Sequence, residues 1–161
     1  MAKTELDRLS DDATVWIFGI APSLDARGSE TLLRNVDAFL EQWTAHNVPV
    51  TAARDLRESR FLVVAAEADT EKSGCSIDKL FGFVHAAEKA LGVSMLDANQ
   101  IFFRDANGVI ASATRSEFAG AASASTVVFD TTAERLGDLR SGAWERPARE
   151  SWHAQLIPVS A

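Results

Sequence analysis

The sequence predicts an α+β fold. Two unbroken apolar runs, Thr14 to Ala21 and Phe61 to Ala66, read as buried strands. Two stretches with apolar residues at helical spacing, one around Leu32 to Trp43 and one around Ile77 to Leu91, read as amphipathic helices. With a hairpin signal at Asn107-Gly108, the order becomes β-α-β-β-α-β. That order fits a ferredoxin-like sandwich with a C-terminal strand and helix extension.

The elements follow in turn. Thr14 to Ala21 is too short for a stable helix and is rich in β-branched and aromatic residues. Pro22 to Ser29 reads as a loop with Ser29 as N-cap, so the first helix is expected from about Glu30 to His46. Its apolar positions are Leu32, Leu33, Val36, Phe39, Leu40 and Trp43. Val48 to Arg54 is a weaker strand, with Pro49 suited to an edge where no ladder donor is lost. After the Phe61 strand and a loop over Asp69 to Gly74, the second helix runs to Leu91, and Gly92 stops it. Gln100 to Asp105 and Val109 to Ala113 flank the Asn107-Gly108 turn. Thr114 to Glu117 and Thr131 to Glu134 both match a capping box, with a strand over Thr126 to Asp130 between them.

In a ferredoxin-like sheet the first and third strands are central. Here those two strands lack polar alternation, which an antiparallel sheet with one wet face should show. Both faces are therefore expected to be covered, by helices on one side and by the C-terminal extension or a partner subunit on the other. The chain is read as one domain over 1–161, with 1–12 a flexible N-terminus and 114–161 an extension packed on the core. Trp144 and Trp152 in that extension are too large to leave in water.

Composition narrows the function classes. The chain has 161 residues, 47% hydrophobic and 24% charged, which suits a globular protein. A net charge of −7 argues against nucleic acid or an anionic membrane as partner. Arg135, Arg140, Arg146 and Arg149 cluster late in the chain and read as a solvated, partly Glu-paired surface. The start of the chain is polar, without a signal-peptide core, and no apolar stretch reaches the roughly 18 residues of a membrane span, so a cytoplasmic location is expected. No phosphate loop of the Gly-x4-Gly-Lys type and no Gly-x-Gly-x-x-Gly occurs, so no cofactor is implied. Metal binding has little support from three scattered histidines without His-x3-His spacing.

The chemistry-bearing candidate is the single cysteine. Cys75 lies in Ser73-Gly74-Cys75-Ser76-Ile77-Asp78 at the start of the second helix, where free N–H groups and the helix dipole favour thiolate. A plainer reading makes it a small hydrophobe at a tight turn, with Ser76 or Asp78 as cap. Of the histidines, His46 ends the first helix, and His85 is read as a satisfied helix residue. His153, in Ser151-Trp152-His153, is the candidate base for a thiol nucleophile.

Taken together, these residues resemble a family of small bacterial proteins of unknown function that automated naming commonly calls "ABC transporter ATPase". The resemblance covers most of the chain. It rests on Phe39-Leu40-Glu41-Gln42-Trp43, Arg60-Phe61, Ser73 to Asp78, and Trp144 through Pro147 to Ser151-Trp152-His153. The missing phosphate loop departs from that label. The resemblance implies that the cysteine loop and the Ser-Trp-His segment belong to the family pattern, and it implies no substrate. The expected function is a binding or interaction module whose pocket involves Ser73, Gly74, Ser76, Asp78, Arg60 and Trp152. The alternative is a cysteine-dependent enzyme or redox sensor using Cys75 and His153. The partner is a small molecule or a protein, with a homodimer among the forms considered.

Overall fold

The computed structural model describes residues 5–67 and 74–158. The chain is mixed α and β with antiparallel sheets. Strands β1 (Thr14–Gly19), β4 (Ala52–Arg57) and β5 (Phe61–Ala66) form a sheet in the order β1-β5-β4. Every residue of β5 is 0% exposed. That follows from its position: a central strand with both faces covered needs apolar side chains on both.

One face carries helices α1 (Ala26–Gln42) and α2 (Gly74–Leu91). Leu32, Val36 and Leu40 of α1 and Leu80, Val84 and Ala87 of α2 pack on Phe18, Leu62 and Val64. The opposite face carries a second sheet. Strands β6 (Gln100–Arg104), β7 (Ile110–Thr114), β8 (Val127–Phe129) and β9 (Glu145–Pro147) are ordered β7-β6-β8-β9. Ile17, Phe61 and Val63 meet Phe102, Phe129 and Trp144 between the sheets. The outer face of the second sheet is covered by α3 (Arg115–Ala121) and the C-terminal 3-10 turns, through Phe118, Trp152 and Leu156. The layers are therefore helices, sheet, sheet, helix and turns. Helices cover one face as expected; the other is covered by β8 and β9 of the expected extension together with β6 and β7, which are expected in the core.

Thr14–Gly19 and Phe61–Ala66 are adjacent and antiparallel, with Thr14 opposite Ala66 and Gly19 opposite Phe61. The fourth strand departs from a ferredoxin-like sheet, where it would lie beside the first. Gln100–Arg104 pairs instead with β7 and β8. A close contact accompanies this: a methyl group on Gly19 would lie 2.2 Å from the Phe102 ring, so the second sheet presses that ring onto bare β1 backbone.

Several local expectations shift. α1 starts four residues early, because Asp25 accepts the Gly28 N–H at 2.7 Å and caps the helix, while Ser29 lies inside it. It also ends early, at Gln42, where buried Trp43 turns away to donate its indole N–H to the Ser76 carbonyl at 2.8 Å. His46 therefore belongs to the turn between β2 (Thr44–Ala45) and β3 (Val48–Pro49), with φ of 51° at His46 and 65° at Asn47. The strand expected at Val48–Arg54 is this small hairpin followed by β4. The β6–β7 turn is a five-residue loop whose left-handed residue is Gly108, with φ 77°, and Asp105 accepts from the Asn107 and Val109 amides. The Thr114–Glu117 capping box is present. Thr131–Glu134 forms none; its main chain pairs with β1, and α4 (Leu136–Arg140) starts beyond it. The segment from Glu5, expected as a free arm, packs on the domain: Leu9 is buried and Arg140 donates to the carbonyls of Leu6 and Leu9.

Gly19→Ala should destabilise the protein by about 1–3 kcal/mol, the usual cost of overpacking. Its melting temperature should fall by roughly 2–10 °C at this chain length. Phe102→Ala combined with Gly19→Ala should recover part of the loss at position 19, measured as coupling in a double-mutant cycle.

Candidate functional site

β1 is an edge strand, and its outer edge is only partly paired. At one end the Val15 N–H donates to Glu134 O at 2.9 Å and the Leu136 N–H to Ala13 O at 2.9 Å. At the other end Ala21 and Ser94 exchange bonds of 3.0 and 2.8 Å. Between them a groove of about 880 Å³ follows the strand. Ile77, Phe81 and Leu96 wall it on the helix side, and Phe102, Arg115 and Trp152 on the other. Its volume lies within the roughly 300–1,000 Å³ of ligand clefts.

Two of the wall residues face water. Phe81 is 39% and Leu96 37% exposed, while Phe81 rests edge-on against Phe18 at 5.5 Å. Arg115 lies 5.4 Å over the Trp152 ring, and Trp152 stacks on His153 at 4.0 Å. The groove therefore joins aliphatic and aromatic walls to a charged surround of Arg115, Arg135, Asp12, Asp97 and Glu134.

Among the sequence-predicted residues, only Trp152 lines this groove. Gly74, Cys75 and Asp78 are exposed on the first turns of α2, on either side of Ile77 in sequence but outside the groove lining. Ser76 is buried and fixed through its carbonyl to Trp43. Ser73 lies outside the described residues. Arg60 is buried at the β4–β5 turn, its guanidinium 5.5 Å over the ring of Phe102, which also lines the groove. Its Nε and Nη2 have no partner, and burial lowers its pKa.

Cys75 and His153 are not brought together. His153 is 1% exposed and belongs to the layer beyond the second sheet, against Phe118 and Trp152. Its Nδ1 shares a 2.7 Å hydrogen bond with the Ser151 hydroxyl. Burial is the main cause that lowers its pKa to about 4; Asp130 opposes this, and Arg146 and Arg115 add to it. The ring is neutral near pH 7 and structural in its contacts. Burial alone would raise Asp130, but Thr132 bonds and Arg146 outweigh it and hold the carboxyl below its usual range. The late arginines pair mostly with aspartate: Arg135 with Asp12, Arg140 with Asp11 and Arg146 with Asp130, whereas Arg149 meets Glu150. Among the described residues no group of three or more His, Cys, Asp or Glu is placed to hold a metal ion. No helix there is long and apolar enough to cross a membrane.

The groove is absent from the sequence reading. Its only local signal is the exposed pair Phe81 and Leu96 at positions that helical periodicity assigns to the core or to a loop. Comparison with family models, curated proteins and solved structures gave no match to this chain.

Two outcomes follow for the predicted pair. Cys75 should alkylate with iodoacetamide in the native protein, and His153→Gln should change that rate by less than about twofold, since no contact links them; mass spectrometry of timed samples checks it. For His153 the folded pKa lies below the unfolded value of about 6.5, so its contribution is complete above pH 6.5 and is lost as pH falls toward 4. Between pH 6.5 and 5 this amounts to roughly 2 kcal/mol. Urea midpoints should fall across that range by more in the wild type than in His153→Gln.

Proposed function

We propose that this protein is a binding module, and that its site is the groove along the outer edge of β1. The observation that carries this reading is the combination of an open strand edge with exposed Phe81 and Leu96 in one cleft. Large apolar side chains left in water beside a concave surface mark contact sites more often than structural ones. The cleft extends from the second turn of α2 to Trp152, so it joins the two regions that the sequence singles out, although Cys75 and His153 stand outside it. The thiol-enzyme alternative has no contact between nucleophile and base in its favour.

Titration with a mixture of small aromatic amides, followed by NMR, tests the location. Resonances of Phe81, Leu96 and Trp152 should shift before others, and Phe81→Ser should weaken the effect at least fivefold while the remaining spectrum is preserved. Shifts centred instead on Gly74 to Asp78 would overturn the assignment.

A further inference from the structure

The open rungs of β1 define what the groove accepts. In the β1–β5 ladder the Ile20 N–H points toward β5, where it meets the Arg60 carbonyl, while the Val15 and Ala21 N–H groups point outward to Glu134 and Ser94. Alternation along the strand therefore turns the N–H and C=O of Ile17 and Gly19 outward as well. No partner for these groups is found among the described residues. Among the described residues two consecutive outward rungs are thus open, with paired chain on either side.

We propose, building on the groove reading above, that its occupant is an extended peptide segment that adds to β1 as an antiparallel strand. Both flanking contacts, Thr14 with Arg135 and Ala21 with Ser94, are antiparallel bridges, so an antiparallel insert continues their polarity. The opening opposite Trp16 to Gly19 takes about four residues, roughly 13 Å of strand. Two of them exchange N–H···O=C pairs with Ile17 and Gly19, and main-chain pairing of this kind supplies affinity while alternate side chains supply specificity. The residue opposite Phe18 shares its face and meets Phe81 and Ile77, so it is apolar. Its neighbours face Phe102 and Trp152 on the other wall.

The shape of the site selects a single extended segment over a second copy of this chain. The β1 edge is recessed between α2 and the second sheet, and two recessed edges cannot approach to pairing distance of about 4.8 Å. Gly19, with no side chain, leaves room for the Phe102 ring against the strand, where a Cβ would lie 2.2 Å from it.

Amide exchange and a peptide library test the inference on the full chain. In the free protein the Ile17 and Gly19 amides should exchange at least tenfold faster than those of Trp16 and Phe18. Fluorescein-labelled heptapeptides with alternating apolar and polar positions should then yield binders by fluorescence polarisation, with Ile17 and Gly19 protected at least tenfold in the complex. N-methylation of the two peptide residues that pair with Ile17 and Gly19 should lose at least tenfold in affinity, and N-methylation of the residue between them should lose less than threefold. Binders insensitive to both modifications, while still shifting Phe81 and Trp152, would overturn strand pairing and leave the groove reading standing. Slow exchange of Ile17 and Gly19 in the free protein would overturn the open edge itself, and dimers in sedimentation would then identify a second copy as its cover. A library without binders, alongside small amides that still shift Phe81, would overturn the peptide and keep the groove.

Discussion

The structure depends on one strand. β5 carries Phe61-Leu62-Val63-Val64-Ala65-Ala66 with no residue exposed, so each of its faces must be shielded from water. Burying a side chain of the Val, Leu or Phe size contributes about 1.5–3 kcal/mol, and β5 places four such residues at the centre of the sheet. α1 and α2 shield one face. The second sheet shields the other, and Phe61 forms that junction by touching Phe102 at 5.3 Å, Phe129 at 4.9 Å and Trp144 at 5.0 Å. Phe61 is thereby a central tie between the N-terminal and C-terminal halves of the chain.

The groove is a consequence of that arrangement. Once β6 joins the second sheet, it no longer lies beside β1, and the connection after α2 pairs through Ser94 with Ala21, just past the end of β1. The chain returns to the β1 edge at Glu134 to Leu136, where it covers the other end. Face-to-face packing of the two sheets leaves their edges to define a cleft, and α2 raises its second wall. A recessed edge of this kind also avoids the edge-to-edge association that a flat exposed strand invites.

Charge organises the surface around these apolar layers. Arg54 holds Asp37 with two bonds of 2.8 and 2.9 Å, joining β4 to α1. Arg104 binds Glu145 across the second sheet, and Arg140 gathers the N-terminal segment through the Leu6 and Leu9 carbonyls. These half-exposed pairs contribute about 1 kcal/mol or less each, so they direct how segments dock more than how firmly the domain is held. His153 differs, because its burial makes a neutral ring part of the packing against Phe118.

By itself the sequence determined the elements whose signal is local. Helical periodicity at Leu32, Val36 and Leu40, the apolar run of β5, the Thr114–Glu117 capping box and the Gly92 stop each lie within a few turns of chain, where propensity and patterning act directly. The pairing of β1 with β5 is expected from the ferredoxin-like order and is present, although β1 is an edge strand and not a central one. The Asp25 cap was missed because Gly28 weakens a helical reading, and only the bond from its amide to Asp25 shows the helix already begun. The choice of β6 for the second sheet, the separation of Cys75 from His153 and the groove along β1 were decided by tertiary structure. Each depends on residues far apart in sequence, such as Gly19 beneath Phe102, whose fit is a matter of shape and burial that no local pattern encodes.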